Sequence, residues 1–411
     1  MSEQPSADSR AFAGNSSEWK RARPRRDASS RGNSLWFSNT VRFRSDNKYN
    51  PSLDGLRALA VAGVAIGHAG VPNNGGYHGV TVFFVISGYL ISTILLRQIL
   101  SNNGLRLADF YIRRFGRLTP ALVLALLSTA VWLGLTGGLN ENAIGLAAAA
   151  TYTTDILAYT ALADDITMYT QWSWSLGIEE QFYLIWPVVL MFLIAKTNRP
   201  RGAVIVISGV IASLWIWRAY LSASDGNHER IFYAPDTHID ALLLGCLLAV
   251  VFAFSWRREI SVVGTRIATY VGLVSLFLVL AKPGIVRVFG PVDQDGFGLA
   301  ALSCGLLLTG LINNRNTYVF KLLQARILVY IGKLSYGLYL YNVLTVQIFE
   351  YYIGTKPAMT PLGILWVVAL FATSISSYHL IESPIRNWVN KKHPGRPISS
   401  PEILVKRIEH G

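Results

Sequence analysis

Long apolar segments follow one another from about residue 55, and they constrain the fold more than any other feature of this chain. Each is close to the ~20 residues that an α-helix needs to cross a bilayer. Charged residues make up only 15% of the chain and hydrophobic residues 52%, whereas ordinary globular proteins contain roughly 25% charged residues. We therefore predict an all-α polytopic membrane protein of about ten transmembrane helices, near residues 55–71, 79–99, 118–136, 178–196, 202–221, 239–256, 266–281, 298–313, 333–350 and 362–381.

One further apolar stretch, residues 143–163, competes as a span, and the basic residues decide against it. The formal net charge is +13, and Lys and Arg mark cytoplasmic loops. If residues 143–163 do not cross, 31 of the 37 Lys and Arg residues fall on one face. We therefore place both termini in the cytoplasm and interpret residues 137–177 as an outer loop, with a helix lying at the interface.

The two ends of the chain differ in composition from the membrane part. Residues 1–50 hold ten Lys and Arg and few apolar residues, which predicts a mostly disordered cytoplasmic arm. This arm could bind nucleic acid, but contact with anionic lipid is favoured. It contains no signal-peptide pattern. We assign residues 51–388 to the transmembrane domain and residues 389–411 to a cytoplasmic tail.

The first predicted span carries ionisable residues, which are costly in a bilayer and therefore mark functional candidates. Arg57 and His68 are eleven positions apart, so on a helix they share one face about 16 Å apart along the axis. Asp54 lies one turn from Arg57 and can neutralise it. His68 has two interpretations: a helix-end histidine bonded to a neighbouring carbonyl, or a general base for a hydroxyl group.

Three further groups of residues suggest either function or packing. Arg113, Arg114 and Arg117 precede the third span and form an anion site or an ordinary positive-inside anchor. The adjacent Glu179 and Glu180 enter the fourth span, about 100° apart on a helix, so that at most one is expected to face a site. The remaining polar candidates are Ser87, with Gly79 and Gly88 beside it for close helix approach, Trp172, Trp174, Ser175, Asp240, and Glu382 with its possible ion-pair partner Arg386.

Seven blocks in order across residues 51–388 resemble the acyltransferase 3 family of integral membrane acyltransferases. The blocks are Asp54-Gly55-Leu56-Arg57 with its Arg-x10-His pair, 82–89, 110–120, 174–183, 240–245, 334–340 and 381–384. Three positions depart from the family pattern: Thr81 stands where Asp is frequent, Asn342 where many members have His, and His238 where Arg is common. These departures affect the transfer of substrate identity and leave the Arg–His pair untouched.

The resemblance implies transfer of an acyl group, usually acetyl from cytoplasmic acetyl-CoA, to a sugar hydroxyl. Typical acceptors are a cell-envelope polysaccharide, a lipid-linked glycan or a macrolide. Some members continue into a periplasmic hydrolase-like domain, and we expect none here. A secondary transporter or flippase is the alternative of another class, although no repeated halves are evident, and a membrane scaffold is a more distant one.

The residues then receive hypothetical roles in an O-acetyltransferase of the plasma (inner) membrane. Arg113, Arg114 and Arg117, with Arg57, would hold the acyl-CoA phosphates. His68 would take the hydroxyl proton or carry the acyl group. Glu179 or Glu180 would orient His68 or bind sugar. Acceptor-binding candidates are Asp54, Ser87, Trp174, Ser175 and Asp240. We expect no metal, no permanently bound cofactor and no nucleic-acid partner; the oligomeric state is open.

Overall fold

The structure, a computed structural model, describes the chain from residue 49 to residue 393 with short gaps. The described residues are 49–72, 75–99, 106–160, 163, 166–197, 200–224, 228–254, 261–281 and 296–393. Within them the secondary structure is helical, without strands. The helices of 15 residues or more are α1 (Pro51–His68), α2 (His78–Ile99), α3 (Leu107–Thr136), α4 (Trp174–Thr197), α5 (Pro200–Ser224), α6 (Ile239–Ala253), α7 (Val262–Ala281), α8 (Phe297–Asn313), α9 (Arg326–Ile353) and α10 (Gly363–Ser377).

The predicted multi-pass membrane architecture agrees with the length and composition of these helices. Among the described residues, seven helices are long and apolar enough to cross a bilayer, namely α2, α3, α4, α5, α7, α9 and α10 with its continuation. The helices α1, α6 and α8 do not meet that measure; α6 and α8 have 15 and 17 residues. The chain is therefore a multi-pass membrane protein, while the count of about ten spans and the cytoplasmic termini stay predictions.

Among the described residues of 143–163, the helices are short. Ala143–Ala150 has eight residues and Thr154–Leu157 has four. At ~1.5 Å per residue, eight residues extend about 12 Å, against a hydrocarbon thickness of about 30 Å. This agrees with the prediction that the segment does not cross. The loop is shorter than expected, because α4 already begins at Trp174.

Several helix ends differ from the predicted spans. Helix α3 begins at Leu107, eleven residues before the predicted start, because apolarity marks the bilayer part of a helix and not its extension into the interface. Helix α10 continues through a π-helical turn, Tyr378–Glu382, into Ser383–Lys392. The domain boundary predicted at residue 388 therefore lies inside a helix. The predicted arm up to residue 48 and the tail after residue 393 lie outside the described residues.

Glycines bring neighbouring helices into backbone contact, as predicted for Gly79 and Gly88. A Cβ added at Gly88 in α2 would lie 2.0 Å from the carbonyl oxygen of Leu242 in α6. The reciprocal contact is made by Gly245 in α6, whose added Cβ would lie 2.1 Å from the carbonyl oxygen of Val85. Small residues allow such approach between membrane helices. At these two glycines, α2 and α6 therefore approach each other to backbone contact.

The replacement Gly245→Ala is expected to destabilise the membrane domain by about 1–3 kcal/mol, because its methyl group forces α2 and α6 apart. Gly209→Ala in α5 is the matched control, since nothing lies within 4 Å of a Cβ at that position. Thermal unfolding of the purified protein in detergent measures both changes. Equal melting temperatures for the two variants would contradict the close contact between α2 and α6.

Helix α1 is placed against α9 in the same way, and this contact positions the candidate site. A Cβ added at Gly332 in α9 would lie 1.9 Å from the carbonyl oxygen of Asp54 in α1. Buried apolar residues of both helices belong to one continuous core. The contact fixes the two helices along their length and so brings His68, at the end of α1, beside Asn342 in α9.

Candidate active site

The larger of two neighbouring cavities has a volume of about 400 Å³ and contains His68 in its wall. Aromatic rings form much of its lining, and Gln171, Gln347 and Lys356 add polar groups. The aromatic residues that line it are Tyr77, Trp172, Trp174, Phe232, Tyr233 and Tyr339. We call this space the His68 cavity. Its size and its mostly apolar wall with a few polar groups are typical of a ligand site.

A hydrogen bond to Asn342 fixes the protonation pattern of the His68 ring. The Asn342 side chain is fully buried, and its Nδ2 donates to the carbonyl oxygen of Tyr339 at 2.6 Å. The Oδ1 atom of Asn342 therefore faces Nδ1 of His68. Because an amide oxygen only accepts, Nδ1 carries the proton and Nε2 is left as the basic nitrogen. The arrangement suits a general base.

The second cavity, about 120 Å³, contains three of the predicted arginines and one of the glutamates. Its polar lining includes Arg57, Arg114, Arg117 and Glu179. Ser87, Ser175, Ser335 and Tyr336 also line it. The Oγ atom of Ser335 is buried and has no hydrogen-bond partner in the described part of the chain, so that it is available to a ligand. We call this space the arginine cavity.

Tyr339 and Val80 line both cavities and so lie where the two adjoin. The hydroxyl of Tyr339 donates to the carbonyl oxygen of Trp172 at 2.7 Å. Because it has a single proton, it accepts from the hydroxyl of Ser175, whose oxygen is 2.6 Å away. This hydrogen-bonded pair spans from α9 to the start of α4. Ser175 thus lies at the boundary between the cavities.

Arg114 is bound to the two glutamates, which changes the interpretation of the arginine cluster. It donates to Glu180 at 2.7 Å and lies 3.9 Å from Glu179. Its guanidinium also lies 3.2 Å from the ring centroid of Tyr183, whose hydroxyl donates to Glu179. The arginines lie within α3 and not at a helix N-terminus as expected, and Arg114 is paired with carboxylates. Anion binding by the cluster stays a prediction.

Glu179 and Glu180 were predicted either to orient His68 or to bind sugar. The polar contact to the His68 ring comes from Asn342, and both glutamates contact Arg114. Among the described contacts, neither glutamate touches the His68 ring, and the role of the glutamates stays a prediction. Of the two glutamates, Glu179 lines the arginine cavity and Glu180 lines neither of the two cavities described here, as the angle of about 100° between neighbouring helix positions predicts.

Other predicted site residues lie outside both cavities. Arg113 donates to the carbonyl oxygen of His393 at 3.3 Å. Asp54 accepts from Tyr49 and lies 3.8 Å from Arg57, as its spacing predicted. Asp240 forms a buried ion pair with Arg218 at 3.0 Å and accepts from Trp215. Asp54 and Asp240 therefore do not line the space that was expected to hold an acceptor.

The remaining predicted candidates either line one of the two cavities or have another local contact. Trp172 and Trp174 line the His68 cavity, and Ser87 lines the arginine cavity. Glu382 accepts from the hydroxyl of Ser377 at 3.3 Å, whereas Arg386 donates to Tyr378. The described hydrogen bonds and ion pairs therefore do not contain the expected Glu382–Arg386 pair.

Sequence reasoning missed the roles of three residues. Asn342 was noted only as a departure from the family pattern, yet it is the partner of His68. Tyr339 belongs to the sixth block of the resemblance but carried no assigned role. Lys356 was counted only as an outer-face charge, and it lines the His68 cavity. The position of Asn342, where many family members have a second histidine, was the one signal that could have indicated its role.

The fold and the two adjoining cavities define a helical multi-pass membrane protein with an internal polar site. The family model for an acyltransferase domain matches residues 50–380. The chain belongs to this acyltransferase family, which confirms the resemblance to the acyltransferase 3 family. No solved structure matches the chain significantly.

Relatives with assigned names are O-acetyltransferases of bacteria. The chain is 32% identical over 360 residues to the peptidoglycan O-acetyltransferase OatA of Listeria monocytogenes, covering 84% of this chain and 57% of the relative. It is 30% identical over 376 residues to a putative O-acetyltransferase of Staphylococcus aureus, with 88% and 61% covered. The O-acetyltransferase OatA of the same species is 31% identical over 362 residues, with 82% and 57% covered. The chain thus spans less than two thirds of the length of these relatives.

Proposed function

We propose that this protein is an O-acyltransferase that moves an acyl group, most simply acetyl, from acyl-CoA to a hydroxyl group of a cell-envelope glycan. One observation carries the proposal: a cavity with a basic histidine adjoins a cavity with an arginine cluster, and Tyr339 lines both. Membership of the acyltransferase family and the O-acetyltransferase relatives support the reaction type. The plasma membrane is the proposed location, because such a glycan lies outside it.

The arginine cavity is the proposed entrance for the donor. Arg57 and Arg117 both line this cavity. Among the described ion pairs, Arg57 lies 3.8 Å from Asp54 and Arg117 has no carboxylate partner. Guanidinium groups bind phosphate oxygens through several parallel hydrogen bonds. In the topology proposed here, this cavity faces the cytoplasm, where acyl-CoA is made. Arg114 acts differently, because its pairing with Glu179 and Glu180 shapes the cavity wall.

The His68 cavity is the proposed acceptor site. Its indole and phenol rings offer flat surfaces for a sugar ring. The acceptor hydroxyl gives its proton to Nε2 of His68 as its oxygen bonds to the acyl carbonyl carbon. The thioester C–S bond breaks, and the proton passes on to the leaving thiolate. His68 as an acyl carrier is the alternative sequence of steps, with the acyl group bonded first to its ring nitrogen.

Reconstituted vesicles that contain the full chain test this function. Radiolabelled acetyl-CoA is supplied on one side, and glycan acceptors are supplied on the other. The expected result is an alkali-labile label on the glycan. Label on a macrolide alone would favour a metabolite acceptor. Movement of a solute without any acylated product would overturn the proposal in favour of a transporter.

A further inference from the structure

We propose that the acceptor carries an anionic group, a carboxylate or a phosphate, and that the ammonium group of Lys356 binds it beside His68. This inference rests on the proposed function and specifies the substrate class of the His68 cavity. Two observations carry it together: the position of Lys356 in the wall of that cavity, and the charge of the groups around it.

The segment that holds Lys356 is attached to the end of α1. Helix α9 ends at Ile353, and the next residue, Gly354, has a left-handed conformation with φ 79°. A turn of 3₁₀ helix, Pro357–Met359, follows directly after Lys356. The backbone nitrogen of Ala358 donates to the carbonyl oxygen of Ala69 at 3.0 Å. Because Ala69 follows His68 directly, this hydrogen bond holds Lys356 close to the end of the helix that carries the proposed base.

Gly70 makes room for the Lys356 side chain. Its backbone is left-handed, with φ +93°, a conformation that favours glycine. A Cβ added there would lie 2.7 Å from Cδ and 2.9 Å from Cβ of Lys356. The aliphatic stem of the lysine therefore lies directly on the Gly70 backbone. A larger residue at position 70 would displace the stem, so the two positions depend on each other.

The electrostatics of the His68 cavity favour an anion. None of the sixteen residues in its wall is Asp or Glu, and Lys356 adds an ammonium group to it. The ion pairs of the described residues join arginine or histidine to carboxylates, and none of them involves Lys356. An ammonium group at the rim of a cavity whose wall contains no carboxylate attracts anionic ligands.

The shape of the wall indicates what the anion is attached to. Trp172 and Trp174 contribute indole rings, and Gln171 and Gln347 contribute amides that can bond hydroxyl groups. A sugar ring needs flat apolar faces and hydrogen-bonding edges, which these residues supply. Lys356 adds one positive charge at the rim, where its side chain is exposed. The combination fits a sugar acid or a sugar phosphate better than a neutral sugar.

Matched pairs of acceptors test the inference on the full chain. Glucuronic acid is compared with its primary amide, and glucose 6-phosphate with glucose, so that each pair differs mainly in charge. Binding is measured from tryptophan fluorescence of the detergent-solubilised protein, and acyl transfer from labelled acetyl-CoA is measured in parallel. We expect at least one anionic probe to bind about tenfold more tightly than its neutral partner. The pair with the larger difference in affinity shows whether the acceptor's anionic group is a carboxylate or a phosphate.

The variant Lys356→Met should remove this preference while binding of the neutral probes changes less than about twofold. Lys356→Arg should retain it. Lys321→Met is the control for net charge, since Lys321 is exposed and lies outside both cavities. The preference of the wild-type protein should also weaken between 0.05 M and 0.5 M salt, because salt screens exposed charges over about 10 Å at 0.1 M.

Equal binding of charged and neutral probes by the wild-type protein would overturn the inference. So would a charge preference that survives in Lys356→Met. The binding measurement is independent of catalysis. A preference that Lys356 controls, combined with no acyl transfer from acetyl-CoA, would therefore support the anion site and would count against the proposed function alone.

Discussion

Replacing His68 by alanine is expected to lower acyl transfer by about 10²–10⁴-fold, which is the usual contribution of a positioned general base. The physical reason is the bond between Nδ1 and Asn342, which leaves Nε2 as the proton acceptor in the cavity wall. The variant should be present in membranes at the wild-type level, because the His68 side chain borders a cavity and is not part of the close-packed core. Initial rates with labelled acetyl-CoA measure the loss.

His379→Ala is the matched control for the His68 experiment. His379 is exposed in the π-helical turn and contacts Tyr330 at 3.1 Å, away from both cavities. Its removal should leave the rate within about twofold of wild type. A His68→Ala variant that retains near-normal turnover would exclude His68 as base and as acyl carrier. Mass spectrometry of acid-quenched enzyme separates these two roles, since only the carrier would hold an acetyl group on His68.

Replacing Arg114 by methionine is expected to destabilise the membrane domain by about 3–5 kcal/mol, the typical cost of removing one partner of a buried ion pair. Glu180 would remain largely buried, with 11% of its side chain exposed, and would lose its bond of 2.7 Å. Tyr183 would lose the guanidinium over its ring. A large drop in the melting temperature in detergent is therefore expected. The arginine cavity should also lose its shape, and the rate of acyl transfer should fall.

Two further variants establish that the effect belongs to the ion pair. Arg114→Met combined with Glu180→Gln should recover a substantial part of the stability, because it leaves less uncompensated charge. Arg113→Met, one position away in α3, loses a single bond of 3.3 Å to the carbonyl oxygen of His393 and should cost less than about 1.5 kcal/mol. If Arg113→Met and Arg114→Met were equally stable, the buried ion pair would have no role in the fold.

Much of the architecture could be predicted because a bilayer imposes simple rules on sequence. Apolar length located the helices, and the helical repeat placed Arg57 and His68 on one face of α1. It also predicted that the adjacent Glu179 and Glu180 would not both face a site, and of the two only Glu179 lines one of the two described cavities. The helix start at Leu107 was missed, since residues of α3 beyond the bilayer carry charge and give no apolar signal.

The site itself could be predicted only in part. His68 and the arginines were found because ionisable groups are rare in apolar segments. Their partners were not, because a partner comes from a distant segment: Asn342 is 274 residues from His68, and Glu180 is 66 residues from Arg114. Asp240 illustrates the opposite error. It was expected to bind an acceptor, yet Arg218 of the neighbouring helix α5 neutralises it within the fold.

The sequence by itself therefore determined the class of protein, the approximate helices and the polar residues to consider. Helix formation and membrane insertion depend on properties of short segments, which can be followed along the chain. The tertiary structure alone decided which polar groups satisfy each other and which border a cavity. Glycine contacts such as Gly332 against Asp54 fix how closely the helices approach, and that approach determines whether a charge is paired or left for a ligand.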